Sequence, residues 1–239
     1  MALFSNKVVA ITGAASGTGL EIAKILITKG ATLSIPDIQD TALQSAASQL
    51  KELGGPDAKR TVAEFAGLHC AVNFAGVVDD QMGARNMSQQ DDDDDYNLVM
   101  NVNLLGVWNC MRAELNNMKS GGSIVNASSA AGLIGFAGGA AYTASKHGVA
   151  GLTRSACKEF GSMNIRVNAV ASGYIITPMS NKASKSMGLA PGDMGPVEAS
   201  ALGRPGQPKM VAKLVVLLLG DDASYITGTV IPIDGGLIC

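Results

Sequence analysis

Apolar residues along this chain recur in two alternating periods. "KVVAITG", residues 7 to 13, is a short β-branched run that ends in glycine and reads as a buried strand. "GLEIAKILITKG", 19 to 30, then spaces its apolar residues as a helix does and stops at a glycine. The alternation continues. "ATLSIPD" (31 to 37) reads as a strand, 40 to 53 as a helix closed by Gly54 and Gly55, and "LHCAVNFAG" (68 to 76) as a strand. Residues 89 to about 117 read as one long helix, "GGSIVNASS" (121 to 129) as a strand, and 141 to 160 as a helix. "IRVNAVASG" (165 to 173), a helix from about 208 to 219 with Lys209 and Lys213 on its polar stripe, and "GTVIPIDGG" (228 to 236) complete the series. Strand–helix alternation predicts an α/β fold, a doubly wound parallel sheet with helices on both faces. With no repeat and no Pro/Ser-rich linker, the chain 1–239 reads as a single domain. The 178 to 207 segment shows no clear period and is rich in Gly, Pro, Ser and Met, as a functional lid often is.

Composition narrows the partners. Hydrophobic residues are 47% of the 239, enough for a large core, and Gly 29 allows many tight turns. The net charge of -2 offers no basic excess for nucleic acid or an anionic membrane. "LVVLLL", 214 to 219, falls far short of the ~20 residues that span a bilayer. The opening "MALFSNKVVAITG" lacks the apolar centre of a secretory leader. Cys70, Cys110, Cys157 and Cys239 are scattered, with no C-x-x-C pair. A reducing, cytoplasmic setting is the expectation.

Two stretches carry chemistry. "TGAASGTG", 12 to 19, joins the first strand to the first helix. Gly13, Gly17 and Gly19 allow a sharp turn and close approach of a ligand, and the helix N-terminus behind them suits a pyrophosphate. Asp37 ends the second strand 18 residues after Gly19. A carboxylate there can accept from the ribose hydroxyls of NAD and repels the extra phosphate of NADP; its plainer role is a turn residue before the next helix. No Arg or Lys lies in the glycine turn to hold a phosphate, which favours NAD. The second stretch is "YTASK", with Tyr142 and Lys146 four apart on one helix face. A tyrosine has a pKa of ~10, and a neighbouring ammonium lowers it toward the working range. Ser128 and Ser129 end a strand, where sites in open parallel sheets collect.

Together these motifs resemble the short-chain dehydrogenase/reductase family. The matching residues are "TGAASGTG", Asp37, "NFAG" (73 to 76), "MNVNLLG" (100 to 106), the serines at 128–129, "YTASK", "ASGYIITPM" (171 to 179) and "IDGG" (233 to 236). The resemblance implies a Rossmann-type fold with a seven-stranded parallel sheet, assembled as a homotetramer or homodimer. It implies Tyr142 as general acid/base, Lys146 lowering its pKa and binding the nicotinamide ribose, and Ser129 holding the substrate oxygen. Asn103 would anchor a water that relays protons to Lys146. The cofactor contacts implied are Gly13, Gly17, Thr18, Gly19, Asp37, Asn73, Ala75, Gly76, Tyr142, Lys146, Gly173, Ile175 and Thr177. The reaction implied is NAD-dependent hydride transfer between a fairly apolar secondary alcohol and its ketone. A lyase, isomerase or cyclase on the same scaffold, or a dinucleotide-sensing module, are the alternatives.

The chain departs from that pattern at Phe74, where a second Asn is usual, and at Ser172, where a proline is usual. The stretch from Asp37 to Asn73 is short for the family, and "KRTVAEF" (59 to 65) reads either as a remnant third strand or as part of a helix end. The missing piece belongs to a sheet edge. Phe136, Tyr174 and Met179 are candidate substrate contacts beside Ser129 and Tyr142; Met179, Met187 and Met194 serve equally well as gap-fillers. His69 and His147 have no ligand partners at metal spacing, so no metal site is expected. His69 reads as a packing residue, and Cys110 and Cys157 as core residues. The run Asp91 to Asp95 reads as the solvated first turn of the long helix, with Ser88 as its N-cap.

Overall fold

The computed structural model describes residues 3–54, 67–89, 93–190 and 199–239. Among them six parallel strands form one sheet in the order β2-β1-β3-β4-β5-β6. The strands are β1 (Val8–Thr12), β2 (Thr32–Ser34), β3 (Leu68–Asn73), β4 (Met118–Ala127), β5 (Arg166–Ser172) and β6 (Val230–Ile233). The helices are α1 (Gly17–Thr28), α2 (Asp40–Glu52), α3 (Asp94–Met100), α4 (Gly106–Asn117), α5 (Ala140–Phe160), α6 (Pro178–Ser186) and α7 (Pro208–Leu219). This is a Rossmann-type fold.

The central strands are apolar on both sides because both faces are covered. One layer packs Ile22, Leu26 and Ile27 of α1 and Val211, Val215 and Leu218 of α7 against Val9, Ile11 and Val72. The other packs Val107, Met111 and Leu115 of α4 and Val149 and Ala156 of α5 against Ala71, Ile124 and Val167. Fully burying an aliphatic side chain is worth roughly 1.5–3 kcal/mol, so these layers fix strand register. The register brings Thr12, Asn73 and Asn126 level at the C-terminal edge. The strand order reverses between β1 and β3, and in open parallel sheets such a reversal is where a ligand crevice forms beyond the strand ends.

Several expectations are corrected. Six strands are seen among the described residues, with β2 at the edge as the shortened 37–73 stretch led one to expect; "KRTVAEF" lies outside those residues. β2 is shorter than its apolar run because Pro36 has no N–H to continue the ladder. The long helix starts at Asp94 rather than at residue 89, and a π-helical turn, Asn101–Leu105, joins α3 to α4. Ser88 does not cap it: Ser88 sits in a 3-10 turn, and its hydroxyl donates to Asn86 Oδ1 at 2.8 Å. Asp94 and Asp95 occupy the first turn; Asp91 and Asp92 lie outside the described residues. The aperiodic segment contains a helix after all. Thr177 caps α6 by accepting from Ser180 N, with Pro178 at the first turn, and Met194 falls outside the described residues. Cys110 and Cys157 are half-buried, and Cys157 packs against the core layer under α4 and α5.

The ends of the 176–205 stretch are pinned together. Ile176 N donates to Gly206 O at 3.0 Å, and Gly206 N donates to Tyr174 O at 2.8 Å.

Candidate active site

The glycine turn and the loop after β3 meet at the strand-order reversal. Gly13 has φ +71, and a Cβ there would come within 2.7 Å of Ala75 N and Phe74 O. A Cβ on Gly19 would land on the Gly13 carbonyl. Only glycine lets the turn pass this close. The first backbone N–H groups of α1 have no intrahelical acceptors and open into the crevice. Asp37 belongs to the same corner. Its Oδ2 accepts from Ala15 N at 3.2 Å and its Oδ1 from Gln39 N at 3.0 Å. A shallow depression of about 490 Å³ follows it, lined by Ile38, Gln39, Asp40, Thr41, Ala42 and Ser45. Thr177 and Pro178 close the other side, 3.5 and 3.7 Å from the point where a Gly17 Cβ would stand. A cradle of glycine backbone, a helix N-terminus and an acceptor carboxylate fits a dinucleotide.

The reactive groups converge from β4 and α5. Ser129 follows β4; its Oγ accepts from Ala131 N at 3.2 Å and donates to Ser172 O at 3.4 Å. Burial raises the Tyr142 phenol above its ordinary pKa, and a hydrogen bond with Ser129 partly offsets that. Lys146 Nζ lies 5.5 Å from the centre of the Tyr142 ring and donates to Ala127 O at 2.9 Å. Burial pushes Lys146 down to about 8. The ammonium is thus held between strand end and phenol. Burial outweighs any lowering of the phenol by Lys146.

Asn103 sits in the π-helical turn and is fully buried. Its Oδ1 accepts from Val77 N at 2.8 Å; its Nδ2 donates to Val77 O at 2.9 Å and Ser145 Oγ at 3.3 Å. The side chain clamps the loop after β3. Gly76 is next to it: a Cβ there would meet Asn103 Oδ1, Met179 Cε and Lys146 Nζ at 3.2, 3.6 and 3.7 Å. Met179 therefore reaches the reactive end. Phe136 stands by Met82, both against Gly139. Tyr174 is half-buried, its phenol raised by burial, and Gly173 passes against Asp234. The side chain of Asn73 points away from the crevice, into the layer under α4 and α5. Ile175 bridges to Gly206, and the Thr177 hydroxyl is engaged as the α6 cap. His69 packs as expected, with Nδ1 accepting from Val8 N at 3.0 Å.

Sequence reading missed the roof. Lys182 of α6 pairs with Asp80 at 2.7 Å, and Ser186 Oγ donates to Met82 O at 2.9 Å. Both contacts tie α6 to the loop after β3. The Thr-Pro pair at 177–178 is the signal that could have revealed α6.

A family model described as enoyl-(acyl carrier protein) reductase matches residues 13–238. The chain is 44% identical over 255 aligned positions to the short-chain dehydrogenase/reductase aba4 of Botryotinia fuckeliana (strain B05.10), covering 99% of this chain and 98% of that one. It is 36% identical over 250 positions to a cyclohexanol dehydrogenase of Acinetobacter sp. (strain SE19), covering 97% and 95%. The solved structure of carveol dehydrogenase from Mycobacterium avium in complex with NAD superposes with a TM-score of 0.90 at 26% identity, covering 99% of each chain. The chain belongs to the short-chain dehydrogenase/reductase family of oxidoreductases. The 255-position alignment outruns the 239 residues here, so that relative carries residues this chain lacks.

Proposed function

We propose that this protein is an NAD-dependent oxidoreductase that interconverts a fairly apolar secondary alcohol and its ketone, with the whole chain acting as one dinucleotide-binding unit. The observation that carries this is the meeting of Ser129, Tyr142 and Lys146 at the strand ends beside the glycine turn. Similarity to a cyclohexanol dehydrogenase and to a carveol dehydrogenase solved with NAD supports the substrate class and cofactor. NAD when bound supplies the hydride acceptor.

The chain's own residues do the rest. Gly13, Gly17, Thr18 and Gly19 present backbone to the pyrophosphate, and Asp37 accepts from the adenosine ribose. Ala75, Gly76, Gly173, Ile175 and Thr177 shape the nicotinamide side. Ser129 donates to the substrate oxygen and orients it. Tyr142, held protonated by burial, gives its proton to the ketone oxygen in reduction and takes it back from the alcohol in oxidation. Lys146, still mostly charged at neutral pH, stabilises the phenolate that oxidation requires. Asn103 fixes the loop at Val77 and presents its main chain to a relay water. Phe136, Tyr174 and Met179 give the substrate apolar walls. Leu98, Leu105 and Trp108 are about half exposed along α3, the π-helical turn and α4, which supports assembly as a homodimer or homotetramer.

The test is turnover of cyclohexanol and related cyclic alcohols with NAD, followed by absorbance of the reduced nicotinamide. Tyr142→Phe should lose roughly 10²–10⁴-fold in kcat while still binding NAD by calorimetry. Wild-type turnover in Tyr142→Phe would overturn the role. Asp37→Ala should relax the preference for NAD over NADP.

A further inference from the structure

Four polar side chains meet inside the apolar layer between the sheet and helices α4 and α5. Asn73 Nδ2 donates to Glu114 Oε2 at 3.0 Å and to Asn126 Oδ1 at 2.9 Å. Asn126 Nδ2 donates to Thr153 Oγ1 at 3.0 Å and contacts Met111 Sδ at 3.3 Å; Thr153 Oγ1 donates to Val149 O at 2.8 Å. Glu114 is only 7% exposed, and the other three are at 1% or less. A carboxyl is costly in such a place unless it does something. Its position on α4 is on the buried stripe with Val107, Met111 and Leu115.

The cluster lies directly beneath the reactive groups. Asn73 and Asn126 are cross-strand partners at the ends of β3 and β4. The residue after Asn126 is Ala127, whose carbonyl receives Lys146 Nζ, and Ser128 Oγ donates to Lys146 O at 3.1 Å. Beyond Asn73 the chain reaches Val77, which clamps Asn103. Thr153 lies two turns along α5 from Lys146. β3, β4 and α5 are thus joined through Asn73 and Asn126, and Glu114 ties α4 to them through Asn73.

We propose that Glu114 is a positioning residue that acts through Asn73 and Asn126 on the strand ends holding Lys146 and Ser129. The proposal rests on the reading of Tyr142 and Lys146 given above. Burial pushes the Glu114 carboxyl up to about 7, so its neutral and charged forms exchange in the working range. Asn73 Oδ1 is buried with no partner, and a proton on Glu114 adds a donor to a cluster that has an acceptor to spare. The titratable neighbour on α4 is Cys110, pushed up to about 11 by burial and by Glu114, so it remains a thiol throughout. From β3, β4 and α5 the cluster receives only amide and hydroxyl groups.

The experiment compares wild type, Glu114→Gln and Glu114→Leu by the pH profiles of kcat and KM with cyclohexanol and NAD. Hydrogen exchange of the 74–77 and 127–129 amides is measured in parallel. Glu114→Gln should keep kcat at pH 6 within about threefold and lose the inflection near neutral pH. Glu114→Leu should lower kcat about tenfold or more with KM for NAD within about twofold, because reacting groups are misaligned rather than removed. It should also speed exchange at those amides. Wild-type kcat and inflection in both variants would overturn the proposal and leave the redox reading intact. If wild type turns over no alcohol, the redox reading falls, and the exchange data decide Glu114 alone: unchanged protection in Glu114→Leu overturns it. Glu114→Gln, which keeps shape and an acceptor, serves if the leucine variant fails to fold.

Discussion

Glu114 also makes a stability prediction with a definite sign. Its carboxyl rises from 4.5 to about 7 in the folded protein, chiefly through burial, which outweighs the hydrogen bond from Asn73. The folded state therefore holds this proton more tightly than the unfolded chain does. Below pH 4.5 both states are protonated and nothing is lost. Between 4.5 and about 7 the unfolded chain ionises while the folded one does not, so stability falls as pH rises. Each pKa unit is worth ~1.4 kcal/mol, so the whole interval costs about 3 kcal/mol, a large part of a typical ~5–15 kcal/mol. Glutamine has the same shape and does not titrate. Urea unfolding of wild type and Glu114→Gln, followed by circular dichroism at half-unit steps from pH 5 to 8, isolates this contribution as a difference. The gap should move by about 2–3 kcal/mol in favour of the variant across that range. Two parallel curves would refute the reasoning: the carboxyl would then be ionising in the fold near its ordinary value.

Three further outcomes follow from the same geometry. His69 is lowered first by burial and then by Lys119 and Lys7, so its contribution is present above pH 6.5 and lost as pH falls below it; His69→Gln should flatten the melting temperature on the acid side, read by scanning calorimetry. Gly13→Ala faces both a positive φ and backbone within 2.7 Å, so it should destabilise by roughly 1–3 kcal/mol and weaken NAD binding, read by thermal melting and calorimetry. The Lys182–Asp80 pair is half-exposed or more on each side, so Lys182→Ala should change stability by ~1 kcal/mol at most while raising KM for the alcohol, read by urea unfolding and initial rates.

The framework was legible because strand and helix periods alternate with glycine punctuation, and both faces of a parallel sheet demand continuous apolar strands. Val9 to Ile11 and Ala169 to Ala171 show this directly. The glycine turn and the Tyr142–Lys146 spacing are local, so they too could be read in order along the chain. What escaped depends on contacts far apart in sequence. The π turn at Asn101–Leu105 leaves no mark in hydropathy, because Val99 and Val107 bury on either side of it. α6 was hidden by its polar composition, since a helix of mostly polar residues has little apolar period. Ser88 misled because a side-chain oxygen before a helix has local partners of its own, here Asn86. Glu114 left a trace: an acid three residues after Met111 and one before Leu115 falls on the buried stripe, where a charged type is out of place.

The two hydrogen bonds pinning Tyr174 and Ile176 to Gly206 have an evolutionary consequence. Because the ends of that stretch are already joined, its interior can change length at slight entropic cost, each doubling adding only ~0.6 kcal/mol. Changes of length between α6 and Gly206 can then reshape the rim of the site while the end of β4, which leads into Ser129, and α5, which carries Lys146, stay in place.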